Sequence, residues 1–205
     1  MATTQFDYTP GLPTRHQHRE VWLANAVELC KPLFTQAGYT IPGNVRVGAG
    51  WPSKRGLSKQ RRIGEAWSNL CSKDQTHEII ISVYLDDPVK VLGVLVHELI
   101  HVTVGVQHMH KKPFTDAMKA LGLEGPPTAT TESPQLLRTL REWVFALGRY
   151  VHASLDGLAA HQKQSTRLLL MECECGLKIR VTRKWMDVYS DTEWPCPCGG
   201  QLNSA

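Results

Sequence analysis

The chain has no apolar run approaching the ~20 residues of a membrane-spanning helix. Met1 to Pro10 is polar, without the apolar core of a secretory signal. A soluble protein of cytoplasmic location with no membrane association is therefore expected. Internal repeats and extended low-complexity tracts are missing too, which argues against solenoids and long disordered tails. Six cysteines in 205 residues are few for a disulfide scaffold, and the formal charge of +4 is too modest to define a polyanion binder by itself. With 42% hydrophobic and 20% charged residues, the chain can build one ordinary core and a small metal-stapled module.

The most specific feature present is His97-Glu98-Leu99-Ile100-His101. Two imidazoles four residues apart on a helix emerge on one face and can share a metal ion, while the intervening Glu98 points about 100° away around the axis. This is the zincin arrangement, in which zinc lowers the pKa of a bound water and the carboxylate takes its proton during attack on a carbonyl. Asp86-Asp87-Pro88 supplies an N-cap and a proline at the first helical position, and Val89, Val91, Leu92, Val94, Leu95 and Val96 carry an apolar helix into the motif. Gly93, one turn before His97 on the ligand face, either leaves room near the metal or permits close helix packing.

A catalytic zinc takes a third protein ligand and keeps an open position. Downstream of His101, both His108 and His110 compete for the role. A metzincin pattern would place Gly three and His six residues after the second histidine. Here Gly105 stands at four and His108 at seven, so that pattern fails by one residue. An acidic ligand from a following helix is the other option, with Asp116, Glu124 and Glu132 as candidates.

Cys173-Glu174-Cys175-Gly176 and Cys196-Pro197-Cys198-Gly199-Gly200 form two knuckles. Four thiolates can close a structural tetrahedral zinc site. Both halves are CxC rather than the usual CxxC, and the following glycines ease the tighter chelate. Disulfides are disfavoured in a reducing compartment. Cys30 and Cys71 have no partners at ligand spacing and are expected to be buried thiols. Between the knuckles, Leu177 to Val181 alternates as a strand.

Val94 to His101, a Gly-containing turn, and His110-Lys111-Lys112-Pro113-Phe114 together resemble the SprT-like (Spartan-type) zinc metalloproteases, which carry HExxH and then a His followed four residues later by an aromatic. Ile79 to Leu85 resembles the strand ahead of that family's active-site helix, and the cysteine pairs resemble the ribbon of its bacterial and phage members. The resemblance covers roughly residues 17 to 123 and 171 to 200. It implies His97, His101 and His110 as ligands, Glu98 as general base, and His108 as a neighbour. The short connection between His101 and His110 departs from the family pattern.

The expected architecture is α+β. A zincin-like metalloprotease domain (1–124) with an N-terminal helix, a small β-sheet and the HExxH helix precedes a linker and helical connection (125–170) and a zinc ribbon (171–205). Helices are expected over His18–Ala37, Phe114–Leu121 and Leu136–Leu147, and strands over Val45–Trp51, Ile63–Leu70 and Glu78–Tyr84. The stretch from Glu124 to Pro134 reads as a linker ending the metal-binding part. His152, in a connection, is expected to be solvated.

Lys54, Arg55, Lys59, Arg61 and Arg62 lie beside Trp51 and Trp67 in an expected hairpin loop near the active site. Such a patch either grips phosphates while an indole stacks on an unpaired base, or is a solvated basic loop. In the ribbon, Lys178, Arg180, Arg183 and Lys184 are balanced by acids, so nucleic-acid binding there would depend on one strand face with Trp185, Tyr189 or Trp194.

Two functions from different classes follow. One is a zinc endopeptidase with a catalytic and a structural Zn2+, acting on protein substrates that the resemblance links to DNA, single-stranded or in DNA–protein adducts. The other is a nucleic-acid-associated zinc-ribbon binding protein whose zincin helix is structural or inactive. Oxyanion donors are open among Tyr84, Tyr150, His108 and His152. Oligomeric state is not legible.

Overall fold

The computed structural model describes residues 11–58, 60–157, 168–188 and 192–204. Met1 to Pro10, Lys59, Tyr189 and part of the expected connection, residues 158–167, lie outside them. The chain is mixed α+β and forms two compact units that divide between Leu158 and Ala159. Among the described residues no helix is long and apolar enough to cross a membrane.

Helix α1 (Arg19–Gln36) buries Trp22, Leu23, Ala26, Val27, Cys30 and Phe34, the spacing of a single helical face. It packs on a three-stranded sheet of β1 (Val45–Gly50), β2 (Gly64–Trp67) and β3 (His77–Ser82). The order is β1-β3-β2, with β1 parallel to β3 and β2 antiparallel to it. The basic loop is therefore not a hairpin. It joins two strands that flank a third, and so crosses from one side of β3 to the other.

From β3 the chain turns into α2 (Pro88–Val104), capped by Asp87, whose carboxylate accepts from the backbone N–H of Val89 (2.8 Å) and Lys90 (3.2 Å). Most of α2 is buried, as expected of a helix with so little polar surface. It touches β2, β3 and two further helices, α3 (Lys112–Ala120) and α4 (Pro134–Leu147). Each fully buried side chain such as Leu95 or Phe114 contributes about 2 kcal/mol of hydrophobic stabilisation. A site on α2 is thus anchored in the core.

Residues 125–157 belong to the first unit rather than to a connection. Leu136, Leu140, Val144 and Leu147 of α4, with Tyr150, join the same core as Trp22 and Leu99. The expected linker folds into a short ribbon, β4 (Leu123–Glu124) against β5 (Thr131–Glu132). His152 is engaged rather than solvated: its Nε2 lies 2.8 Å from the Val83 carbonyl and its Nδ1 3.0 Å from Arg19. Cys30 is buried as expected, but Cys71 is exposed, because it ends a short 3-10 turn on the surface between β2 and β3.

The second unit pairs β6 (Leu168–Glu172) with β7 (Lys178–Thr182) and β8 (Asn203–Ser204), and adds the short helix α5 (Arg183–Val188). Among the described residues its buried centre consists of Met171, Cys173, Cys196 and Leu202.

Candidate metal and catalytic centre

Helix α2 carries His97 and His101 one turn apart, and Gly105, at φ +100, ends it. The chain passes through a 3-10 turn (Val106–His108) and Met109, which holds φ +48, before returning His110 to the helix. One ring nitrogen from each of His97, His101 and His110 lies within 4.8 Å of the other two. His97 Nε2 and His110 Nε2 are 3.4 Å apart. Two nitrogens each about 2.05 Å from a tetrahedral zinc stand about 3.3 Å apart. The donor set and its spacing therefore suit one shared ion. His108 and the acidic candidates Asp116, Glu124 and Glu132 lie outside this convergence, and Asp116 is paired with Lys112 at 2.7 Å.

Phe114, fully buried at the start of α3, forms the common floor. Its ring centroid is 4.9 Å from His97, 4.4 Å from His101 and 4.9 Å from His110. Burial, reinforced by the other imidazoles, pushes His97 down to about 4 and His101 down to about 3, and burial lowers His110 as well. These shifts favour the neutral ring, the state in which imidazole offers a lone pair to a metal.

Glu98, next to His97 on the same helix, is turned toward Gly64 of β2 and is 6% exposed. Burial pushes its carboxyl up to about 8, opposed by the positive charge of Arg62 and reinforced by Glu65. Gly64 makes this seat possible. A Cβ there would collide with the Glu98 carboxylate and stand 2.6 Å from Val94 Cγ1. Beside it, Glu65 accepts from the Ser53 backbone N–H (2.8 Å), the Ser53 hydroxyl (2.6 Å) and Arg62 (2.6 Å). Burial alone would raise Glu65, but these partners hold it below the usual range.

The basic loop is divided in its roles. Arg61 lies over the Tyr84 ring at 3.7 Å and near Asp156 at 3.8 Å, and Arg62 is bound to Glu65. Lys54 and Arg55 are exposed, as are Trp51 and Trp67. Among the open oxyanion candidates, Tyr150 is buried against Trp22 and His152 is bound to Val83.

In the second unit Cys173, Cys175, Cys196 and Cys198 bring four sulfurs within 4.8 Å of one another. The pairs Cys173–Cys198 and Cys175–Cys196 are 3.6 Å apart, and all four are free thiols. Sulfurs about 2.3 Å from a tetrahedral zinc would be about 3.8 Å apart. The Gly200 backbone N–H, followed by the neighbouring thiols, lowers Cys198, while Cys173 and Cys196 are raised, so the close sulfurs favour ionisation of one thiol at the expense of its neighbours in the absence of a metal. Both centres can thus hold a metal and are compatible with zinc.

Several contributors were not identifiable beforehand. Gly64 meets Glu98 only through the packing of α2 on β2, and Ser53 holds the neighbouring Glu65. Thr130, in the stretch expected to be a linker, places its hydroxyl 2.9 Å from His97 Nδ1. Gly93 did carry a signal: the space above it is filled by the carboxyl group of Glu132. Comparison with known protein families, curated proteins and solved structures finds no match to this chain.

Proposed function

We propose that this chain is a zinc-dependent endopeptidase of zincin type, resembling the SprT-like proteases, with His97, His101 and His110 as zinc ligands and Glu98 as general base. The observation that carries the reading is the convergence of three imidazoles, two of them on α2, with the buried carboxyl group of Glu98 on that same helix. Zinc supplies Lewis acidity and brings the deprotonation of water into the neutral range. Glu98 takes the proton of the attacking water on a carboxylate oxygen as the water oxygen adds to the peptide carbonyl carbon. It then delivers a proton to the amide nitrogen as the C–N bond breaks.

Arg62, held by Glu65, is the cation whose charge is felt at Glu98, His101 and His110. We assign it the developing negative charge on the carbonyl oxygen. Among the described strands, β2 pairs only with β3. Its other edge offers backbone groups to an extended peptide next to Glu98. The four cysteines hold the second zinc, in a ribbon whose function is structural. Exposed Lys54 and Arg55 beside Trp51 suit a substrate attached to nucleic acid.

An idle zincin helix, with the ribbon and basic loop binding nucleic acid, is the competing reading. It gives no reason to retain a buried carboxyl group that costs stability. The deciding experiment is Glu98→Gln assayed on a DNA-linked protein substrate. Hydrolysis is expected to fall by at least ~100-fold, with zinc content and DNA binding unchanged. Equal activity in both proteins would overturn the assignment.

A further inference from the structure

His97 differs from its two companions in what its outer ring nitrogen meets. Its Nδ1 lies 2.9 Å from Thr130 Oγ1, while its Nε2 faces His110 Nε2. A neutral imidazole carries one N–H, so a hydroxyl accepting from Nδ1 leaves the lone pair on Nε2, the nitrogen turned toward the other rings. Among the described residues, no such outer partner is seen for His101 or His110.

Thr130 is not on a loose loop. It immediately precedes β5, where Thr131 pairs with Glu124 and Glu132 with Leu123. The turn is closed by the Ala129 N–H donating to the Pro126 carbonyl at 2.8 Å. On the far side, the Ser133 N–H donates to the Gly122 carbonyl at 2.8 Å, and the Ser133 hydroxyl caps α4 by accepting from Leu136 at 3.2 Å. Between these anchors the Glu132 side chain lies across α2 at Gly93, where a Cβ would stand 2.9 Å from its Cδ. Gly93 is one helical turn before His97. The segment 122–133 is thereby strapped over the ligand face of α2 at two adjacent points.

We propose that Thr130 is a positioning residue for His97: its hydroxyl accepts the Nδ1–H, fixes the tautomer and ring orientation, and makes the strap part of the metal centre. The proposal rests on the reading that the three imidazoles hold zinc. Partners of ligating histidines typically alter metal affinity by about 10–100-fold when removed.

The test compares wild type, Thr130→Val, Thr130→Ser and His110→Ala. Zinc affinity is measured by chelator competition, and the His97 tautomer by ring 15N shifts in the metal-free protein. The zinc missing in His110→Ala identifies the fraction held by the histidines. The expected result is roughly 10–100-fold weaker zinc at that centre in Thr130→Val, with loss of the fixed Nδ1–H tautomer and recovery of both in Thr130→Ser. Thr130→Val within twofold of wild type, or an unchanged tautomer, overturns the role of Thr130 while leaving the metal centre intact. If wild type holds no zinc that His110→Ala removes, the metal reading itself fails. If Thr130→Val does not fold, Thr130→Ser decides: its hydroxyl must keep both the tautomer and the affinity.

Discussion

The histidine centre and the cysteine centre bring ligand atoms together equally closely, but they sit on very different foundations. His97 and His101 project from a buried helix in a core that includes Trp22, Phe34, Ile79, Leu95 and Phe114. Around the cysteines the buried residues are Met171 and Leu202 together with Cys173 and Cys196 themselves. In the first unit the fold positions the ligands. In the second, two of the four buried residues among those described are proposed ligands, with Ile179, Val181, Met186 and Trp194 partly buried against them, and so small an apolar core offsets little of the entropy of ordering the chain. On the proposed reading, a metal at the cysteines would be a folding partner, whereas at the histidines it would be added to a scaffold that stands without it.

The sharpest way to break this contrast is to remove metal. Exhaustive chelation, or Cys196→Ser, is expected to abolish amide-exchange protection in β6 and β7 while α2 and β3 keep theirs. Residual protection in the second unit equal to that of the first would show that the cysteines are not its staple.

Gly64→Ala probes the opposite side of the comparison, where the fold serves the chemistry. The new methyl collides with the Glu98 carboxylate and with Val94, whose branched side chain cannot swing away cheaply. Peptidase activity is expected to fall at least ~10-fold while both zinc ions remain. Full activity would mean that the Glu98 seat is not needed for catalysis.

A smaller effect is expected from pH in the metal-free protein. His97, at about 4, and His101, at about 3, lie below their ordinary value of 6.5, so the unfolded chain binds more protons and stability falls as pH drops below 6.5. Glu98, at about 8, lies above its ordinary 4.5, so the native state binds the extra proton and stability falls as pH rises from 4.5 through 8. Urea midpoints of wild type and Glu98→Gln across pH 5 to 8 isolate the carboxyl contribution. The wild type should lose ground to the variant as pH rises, and parallel profiles would contradict the burial assigned to Glu98.

What the sequence disclosed is what local spacing controls. The Asp87-Pro88 cap, the placing of His97 and His101 four apart, and the apolar faces of α1, α3 and α4 are all short-range features, and the expected boundaries fall within about two residues of those observed. Strand order was not accessible, because the loop after β1 gives no sign that β3 will enter between β1 and β2. For the same reason Arg61 and Arg62 read as free charges, when Tyr84 and Glu65 take them up. The stretch from Glu124 to Pro134 looked like a linker by composition, yet Thr130 reaches His97 across 33 positions. Ser133-Pro134 has the same cap-and-proline form as Asp87-Pro88, a sign that an anchored helix follows.

The most direct measurement is zinc per chain, by elemental analysis of wild type, His110→Ala and Cys196→Ser. Two zinc ions in wild type, with one lost in each variant, are the predicted result. A single zinc, indifferent to His110, would contradict the catalytic centre.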